Sequence, residues 1–506
     1  MKKNYFKLWF VAVLLVTISC SREDEMMAIP ETPTAGEILK DPLTTQQINA
    51  AIDESIRTKG YFNWSEATDH LLWSAIFRGG NSVSLGYGAT ANDFDKSKVA
   101  GAASLERELL NTLTTAENLA PEKILIRSDA YLTTMDVMVV QPETVRILRH
   151  TTGIRYIEPA NYRYYDQQAM ANKSSSSGSS GCGFESAALN AADYTTVAPN
   201  AKVPWSFYKH NIPGAWSYAT GAGITIGIVD SGVSPEQNLL GSGFNTGQSS
   251  GRSIQKYGTY VDSVWPWSST TDGPNDQCGH GTSMASVAAA PRNNSGMTVG
   301  VAYNANLVTY RAAANVLLEG YHEQNGVKDA FTALGNRTDV KIISMSMGHI
   351  FSVGKIEDGI KYAYSKGKLI FCAGGTSTSF TNFVGVIFPA SMAEAVAVTG
   401  IKDSSTYQEC DVCHKGAKID FTVVMEKAAT GSNTPVLGYY NNESKYVGGS
   451  SVATATTAGI AALVWSKNPS WTRAQVLTKM KQSASLYPNK NADFGYGSVN
   501  ALLAVQ

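Results

Sequence analysis

Between residues 220 and 400 a pattern recurs that few folds can accommodate. Five short apolar runs, Ile224–Val229, Leu307–Tyr310, Val340–Met345, Lys368–Ala373 and Ala395–Thr399, are each followed by small or turn-forming residues, and longer stretches with helical spacing lie between them. Runs this short and this uniformly apolar read as strands covered on both faces rather than as one-sided sheets. Alternation of such strands with helices predicts βα units around a buried parallel sheet. In an open parallel sheet the ligand site lies beyond the C-terminal ends of the strands. The residues that close these runs are therefore the first place to look for chemistry.

The N-terminal half has a different texture. Helical spacing occupies Ile48–Ile56 and Leu105–Leu113, and β-rich runs occupy Ser82–Tyr87, Ile124–Arg127 and Thr133–Val140. A short helical stretch, Glu143–Arg149, leads through Gly153 into the strand-like Ile154–Ile157. The order β-α-β-β-α-β from Ser82 to Ile157 suits a ferredoxin-like α+β fold. The forty or so residues before Ser82 find no place in that scheme. Residues 21–45 are polar and broken by Pro30, Pro33 and Pro42, as a tether would be, and the serine-rich stretch from Lys173 to Gly181 has linker composition. These features divide the chain into a signal peptide (1–19), a tether (20–45), an N-terminal domain (46–165), a flexible linker (166–200) and a C-terminal domain (201–506).

At the N-terminus Lys2, Lys3 and Lys7 precede an apolar run, Leu8–Ile18, that is too short to span a bilayer but fits a signal peptide. Thr17-Ile18-Ser19-Cys20 resembles a bacterial lipobox, which would make Cys20 the lipidated N-terminus of the mature chain. An ordinary secretory signal is the alternative. The acidic Glu23-Asp24-Glu25 points further, to the outer surface. The expectation is an exported outer-membrane or cell-surface lipoprotein of a bacterium, held to the membrane by its lipid and open to release after processing. With 41 basic and 42 acidic residues, the chain lacks the positive surface that nucleic acid requires. An exported chain can form disulfides. Cys182, Cys278, Cys372, Cys410 and Cys413 remain, an odd number; Cys372 sits in an apolar run as a core thiol. Cys410–Cys413 and Cys182–Cys278 bridges are expected, although connectivity stays open. Cys410-Asp-Val-Cys413-His414 offers too few ligands for a closed zinc site.

Three segments carry the candidate chemistry. Asp230 closes the first run in Val229-Asp230-Ser231-Gly232, where a carboxylate can orient an imidazole. His280, in Gly279-His280-Gly281-Thr282, opens a helical pattern over Ser283–Ala290 and is a candidate general base. Ser451, in Gly449-Ser450-Ser451-Val452-Ala453, stands at the start of an apolar helix, where unpaired N–H groups and the helix dipole favour a developing oxyanion. Taken singly, these would be a turn, a polar histidine and a helix cap. Their order, Asp, His, Ser, is one of the known triad orders.

In that order the segments resemble the signatures of the subtilisin-like peptidase family. Val299-Gly300-Val301-Ala302, Ser344-Met345-Ser346-Met347-Gly348 and Gly495-Tyr496-Gly497-Ser498-Val499-Asn500 also match, over about Lys202–Val505. The resemblance implies a three-layer α/β catalytic domain and serine endopeptidase activity with Asp230, His280 and Ser451 as the triad. It also implies that Ser346, Met347 and Gly348 pair with substrate backbone, that Gly374 and Thr376 line the pocket for the residue before the cut, and that a peptide or protein is the substrate. No cofactor is required; calcium, common in the family, has no assignable site here. Ile154-Arg155-Tyr156-Ile157-Glu158-Pro159 is similar to the end of the family's inhibitory propeptide, making the N-terminal domain a folding template and inhibitor. One departure touches the chemistry. Gly375 stands where the family carries an oxyanion-hole asparagine, a donor worth about 10²–10³ in rate, so Gly375→Asn would be expected to raise kcat. A surface binding protein that kept the fold without the activity is the rival reading.

Overall fold

A computed structural model describes residues 41–164, 181–376 and 385–506. The signal peptide, Cys20, most of the tether and residues 165–180 of the serine-rich connection lie outside the described residues, as do 377–384.

In the N-terminal region a capping box at Thr44 and Gln47 opens the helix Thr45–Lys59, which ends on Gly60. Its buried stripe, Ile48, Ile52 and Ile56, has the i, i+4 spacing of one helix face. With the helix Asp69–Arg78 it covers a sheet of four strands: β1 (Ser82–Tyr87), β2 (Leu125–Ser128), β3 (Thr134–Met138) and β4 (Ile154–Pro159). The order is β2-β3-β1-β4, with every pairing antiparallel. Helices Ala102–Glu117 and Pro142–His150 complete the β-α-β-β-α-β order expected from the sequence. The residues before Ser82, which that scheme left without a role, supply two helices to this core. Order begins ahead of residue 46, because Leu43 N–H donates to Ser74 Oγ at 2.9 Å.

The C-terminal region is built on seven parallel strands. A small hairpin, β5 (Tyr194–Val197) and β6 (Ala201–Pro204), precedes β7 (Thr225–Asp230), β8 (Ile254–Gly258), β9 (Asn306–Arg311), β10 (Val340–Met345), β11 (Leu369–Ala373), β12 (Ala395–Lys402) and β13 (Ile419–Glu426). Their order is β13-β12-β11-β10-β7-β9-β8. Ile226, Ile228, Ile342, Phe371 and Val398 face one apolar cluster, with the helices His280–Ala289 and Gly449–Lys467. Val229, Ile343, Ile370 and Cys372 face another, with the helices Tyr321–Asn336 and Gly354–Ser365. Side chains alternate between two buried faces, so the domain has three layers. The five apolar runs are the inner strands. The two strands outside those five runs, β8 and β13, are the edges, where Gln255, Lys256 and Asp420 are tolerated.

The expected flexible linker 166–200 is corrected in its second part. Gly183 N–H donates to Cys278 O at 2.8 Å, Ala187 N–H to Ser444 O at 2.7 Å, and β5 pairs with β6. A Cys182–Cys278 disulfide fastens the same stretch. Polar composition misled there because these contacts are made by backbone and a cross-link, which an apolar pattern does not report. The C-terminal region thus starts at residue 181.

The N-terminal sheet lies on the outer faces of the helices Tyr321–Asn336 and Gly354–Ser365. Arg155 forks onto Asp358 at 2.6 and 2.9 Å, Lys355 Nζ meets Asp136 at 2.8 Å, and Arg127 meets Asp329 at 2.8 Å. Lys328 is paired with Asp129. Glu158 accepts the N–H of Gly354, the first residue of its helix, at 2.8 Å. Carboxylates are favoured at such a helix start.

Candidate active site

The strand ends deliver the candidate residues to one edge of the sheet. Asp230 is the last residue of β7; Ser346 follows β10; Gly374 and Gly375 follow β11. His280 opens its helix, and Ser451 is in the first turn of the helix Gly449–Lys467, the two helices being packed together. His280 Nδ1 lies 2.7 Å from Asp230 Oδ1, with both side chains buried. The same carboxylate oxygen accepts the N–H of Ser231 at 2.8 Å. A carboxylate at Nδ1 fixes that proton, and Nε2 is the nitrogen left to take up and return another.

A second buried carboxylate, passed over in the sequence, braces the histidine. Asp276 Oδ1 accepts the N–H groups of Cys278 and Gly279, each at 2.8 Å, and the hydroxyl of Ser231 at 2.9 Å. Its Oδ2 accepts Thr282 N–H at 3.0 Å and the Thr282 hydroxyl at 2.6 Å. Ser231 Oγ in turn accepts Gly281 N–H at 2.9 Å. These bonds tie the turn before His280 to the residue after Asp230, so the distance between the pair is set from both sides. An aspartate two residues before a Cys-Gly pair is an Asx-turn signal, and it could have marked Asp276.

Ser451 Oγ donates to Ser346 O at 3.5 Å, and Ser346 Oγ donates to Ser451 O at 3.1 Å. As one of the first residues of its helix, Ser451 presents an N–H without an intrahelical partner. The neighbouring Ser450 is otherwise engaged: its Oγ lies 3.0 Å from Thr376 Oγ1 and accepts Gly375 N–H at 3.3 Å. Thr376 is thus set against the serine turn, and Gly374 is held in the fold by bonds to Val398 O at 2.8 Å and from Ile387 N–H at 3.0 Å.

Two expectations change. Gly375 has φ +128°, and a Cβ built on it would lie 2.3 Å from His414 Nδ1. An asparagine there would be strained and would collide with a buried ring, so Gly375→Asn is expected to lower activity rather than raise it. In the segment 346–348, Gly348 is already paired. Its N–H donates to Val316 O at 3.0 Å, and its carbonyl accepts Leu318 N–H at 3.2 Å. Met347 is buried. The edge left for an incoming strand narrows to the backbone of Ser346 and Met347.

The expected bridges Cys182–Cys278 and Cys410–Cys413 are both present, and Cys372 is buried and free. Burial raises the Cys372 thiol well above its ordinary pKa, which keeps it protonated and inert. Among the described residues no three His, Cys, Asp or Glu side chains gather in one group.

A parallel three-layer sheet whose C-terminal edge carries a buried carboxylate–imidazole pair and a helix-borne serine belongs to the class of serine hydrolases. The profile of the subtilase family of peptidases matches residues 221–497, more than half of the chain, and the protein belongs to that family. It is a subtilisin-like serine endopeptidase. M-protease of Shouchella clausii (strain KSM-K16) is 29% identical over 319 residues, 62% of this chain and 72% of that protein. Subtilisin Savinase of Lederbergia lenta is 28% identical over 308 residues, 60% of this chain and 99% of that one. Among solved structures, sphericase aligns at 23% identity and a TM-score of 0.46, over 57% of this chain and 96% of the other.

Proposed function

We propose that the protein cleaves peptide bonds through Asp230, His280 and Ser451, and that it is made as a self-processed precursor anchored to a membrane through Cys20. Ser451 attacks the scissile carbonyl while His280 Nε2 takes the hydroxyl proton and later returns it to the leaving amine. Asp230 holds the ring and stabilises the imidazolium. The backbone N–H of Ser451, at the positive end of its helix, receives the oxyanion. Substrate adds a strand at Ser346 and Met347, beside the pocket edge formed by Gly374 and Thr376. The single observation that carries this reading is the 2.7 Å contact between His280 Nδ1 and Asp230.

Self-processing is supported by the surroundings of Tyr164 and Gly181. Tyr164 ends beside Phe351, just past the Ser346–Gly348 segment. Gly181 resumes against His280, a Cβ built on it falling 3.4 Å from the ring. Gly181 thus lies beside the candidate site and Tyr164 beside a residue three positions past the Ser346–Gly348 segment, which supports cleavage near Tyr165 by the chain's own active site. The N-terminal region then serves as the inhibitor, and the lipid at Cys20 stays with it.

Ser451→Ala tests the catalytic and self-processing parts of this reading. Hydrolysis should fall on the order of 10⁶-fold, the loss typical when a triad serine is removed. Fluorophosphonate labelling should vanish, and N-terminal sequencing should find the chain uncut. Labelling that persists on Ser450, or cleavage near Tyr165 that persists in the variant, would overturn it.

A further inference from the structure

Beside the candidate site lies a cluster that the reaction above does not use: Cys410, Cys413 and His414. Gly374, Gly375 and Thr376 follow β11, and Ile387 N–H bonds back to Gly374 O at 3.0 Å. His414 touches both Gly375 and Gly385. Its N–H donates to Gly375 O at 3.0 Å, and its ring Nδ1 lies 2.9 Å from Gly385 O. A carbonyl can only accept, so Nδ1 carries the proton and donates. Burial holds the imidazole below its ordinary pKa, which keeps it neutral. The ring also occupies the space over Gly375, which is why no side chain fits there.

His414 is itself rooted in the sheet. Its carbonyl accepts the hydroxyl of Thr399 at 2.5 Å, Cys410 N–H donates to Gly400 O at 3.1 Å, and Thr399 and Gly400 both belong to β12. Cys413 is bridged to Cys410 and pairs with Thr376. From this rigid strand the order passes outward through His414 to Gly375 and Thr376. Thr376 Oγ1 then accepts Ser450 N–H at 3.3 Å, next to the candidate nucleophile.

We propose that His414 is a positioning residue of the catalytic centre, a clasp that joins Gly375 to Gly385 and thereby fixes the first turn of the serine helix. This rests on the reading of Ser451 as the nucleophile. The ring does not touch substrate; it holds the wall against which Ser450 and Ser451 are set. Displacements of about 1 Å in such supports cost up to about 10²-fold in rate.

The experiment compares His414→Leu, which keeps volume but loses the donor, with His414→Asn, which restores an N–H near Nδ1. His414→Leu should lower kcat about ten- to hundredfold with KM within about threefold and Tm within about 3 °C, and His414→Asn should recover most of the loss. The double variant Cys410→Ser/Cys413→Ser should move kcat the same way by less. Wild-type kcat in His414→Leu, or an asparagine variant no better than leucine, would overturn the proposal. Hydrogen exchange at Gly374, Gly375 and Thr376 is read in the same proteins and needs no activity. Faster exchange in His414→Leu is expected, and unchanged exchange would overturn the clasp. Should the wild type neither hydrolyse peptides nor take up fluorophosphonate, the reading of Ser451 falls, and the exchange data alone decide the clasp.

Discussion

The helices Tyr321–Asn336 and Gly354–Ser365 are covered on two sides, and the two coverings are unlike. Toward the parallel sheet they present Val327, Phe331, Leu334, Ile356 and Ile360, packed on Val229, Ile343 and Ile370. Toward the N-terminal sheet they present Lys328, Asp329, Lys355 and Asp358, each paired with an opposite charge. An apolar face gains by staying covered, at roughly 25 cal/mol per Å². A charged face loses solvation when covered and recovers it when exposed, so paired burial adds little net stability while demanding exact partners. The inner joint is therefore permanent. The outer one demands specific charge partners, beside an apolar patch in which Phe351 meets Phe62, Trp64 and Tyr164.

Breaking a pair in the outer joint should have the largest effect. Asp136→Ala strands Lys355, which is wholly buried, and removing one partner of such a pair costs about 3–5 kcal/mol. If the chain is processed as proposed, its N-terminal fragment should then separate from the C-terminal region on size exclusion, with the Tm of that region unchanged. Co-elution at wild-type affinity would erase the distinction between the joints.

A second effect is a pH dependence confined to the outer joint. Burial pushes Glu158 up to about 8 from its ordinary 4.5, with Glu357 and Asp358 nearby adding to the rise and Lys355 and the Gly354 N–H opposing it. The docked state therefore holds this proton more tightly than the separated one. Docking has its full strength below about 4.5 and weakens as pH rises toward 8, by roughly 5 kcal/mol at most. Asp136 runs the other way. Held at about 2 against burial by Lys355 and Lys328, it favours docking above about 3.8 and ceases to as pH falls toward 2. Dissociation of the fragment should thus quicken between pH 5 and 8, and Glu158→Gln should flatten that profile. An equal slope in Glu158→Gln would assign the dependence to other groups. The smallest expected effect is Ile343→Val at the inner joint: about 0.5–1.5 kcal/mol of unfolding stability, read by denaturant titration, with fragment affinity unmoved.

The two joints also differ in how far the sequence discloses them. The apolar runs locate β7, β9, β10, β11 and β12, because burial on both faces writes itself into composition. The edge strand β8 and the ordered stretch 181–200 escape, since their contacts are backbone bonds, a disulfide and half-exposed polar residues, and β13 escapes because Asp420, Thr422 and Glu426 interrupt its buried Ile419, Phe421, Val423 and Met425. Asp230, His280 and Ser451 stand out because each sits in a short glycine-marked segment. Asp276 and His414 do not. Their importance lies in which distant N–H and carbonyl groups the fold brings to them, a property of the folded chain rather than of any local motif. For the same reason the space at Gly375 could not be judged before its neighbour His414 was known.

The Cys182–Cys278 bridge, two residues before His280, has a consequence for timing. Such bridges form and persist only where thiols meet an oxidising compartment. Until that happens the turn carrying His280 lacks its covalent brace, and residues 181–200 lack their fastening to the body. A chain held among reduced thiols would keep its histidine turn less firmly placed, so full peptidase strength would depend on the redox state of the surroundings.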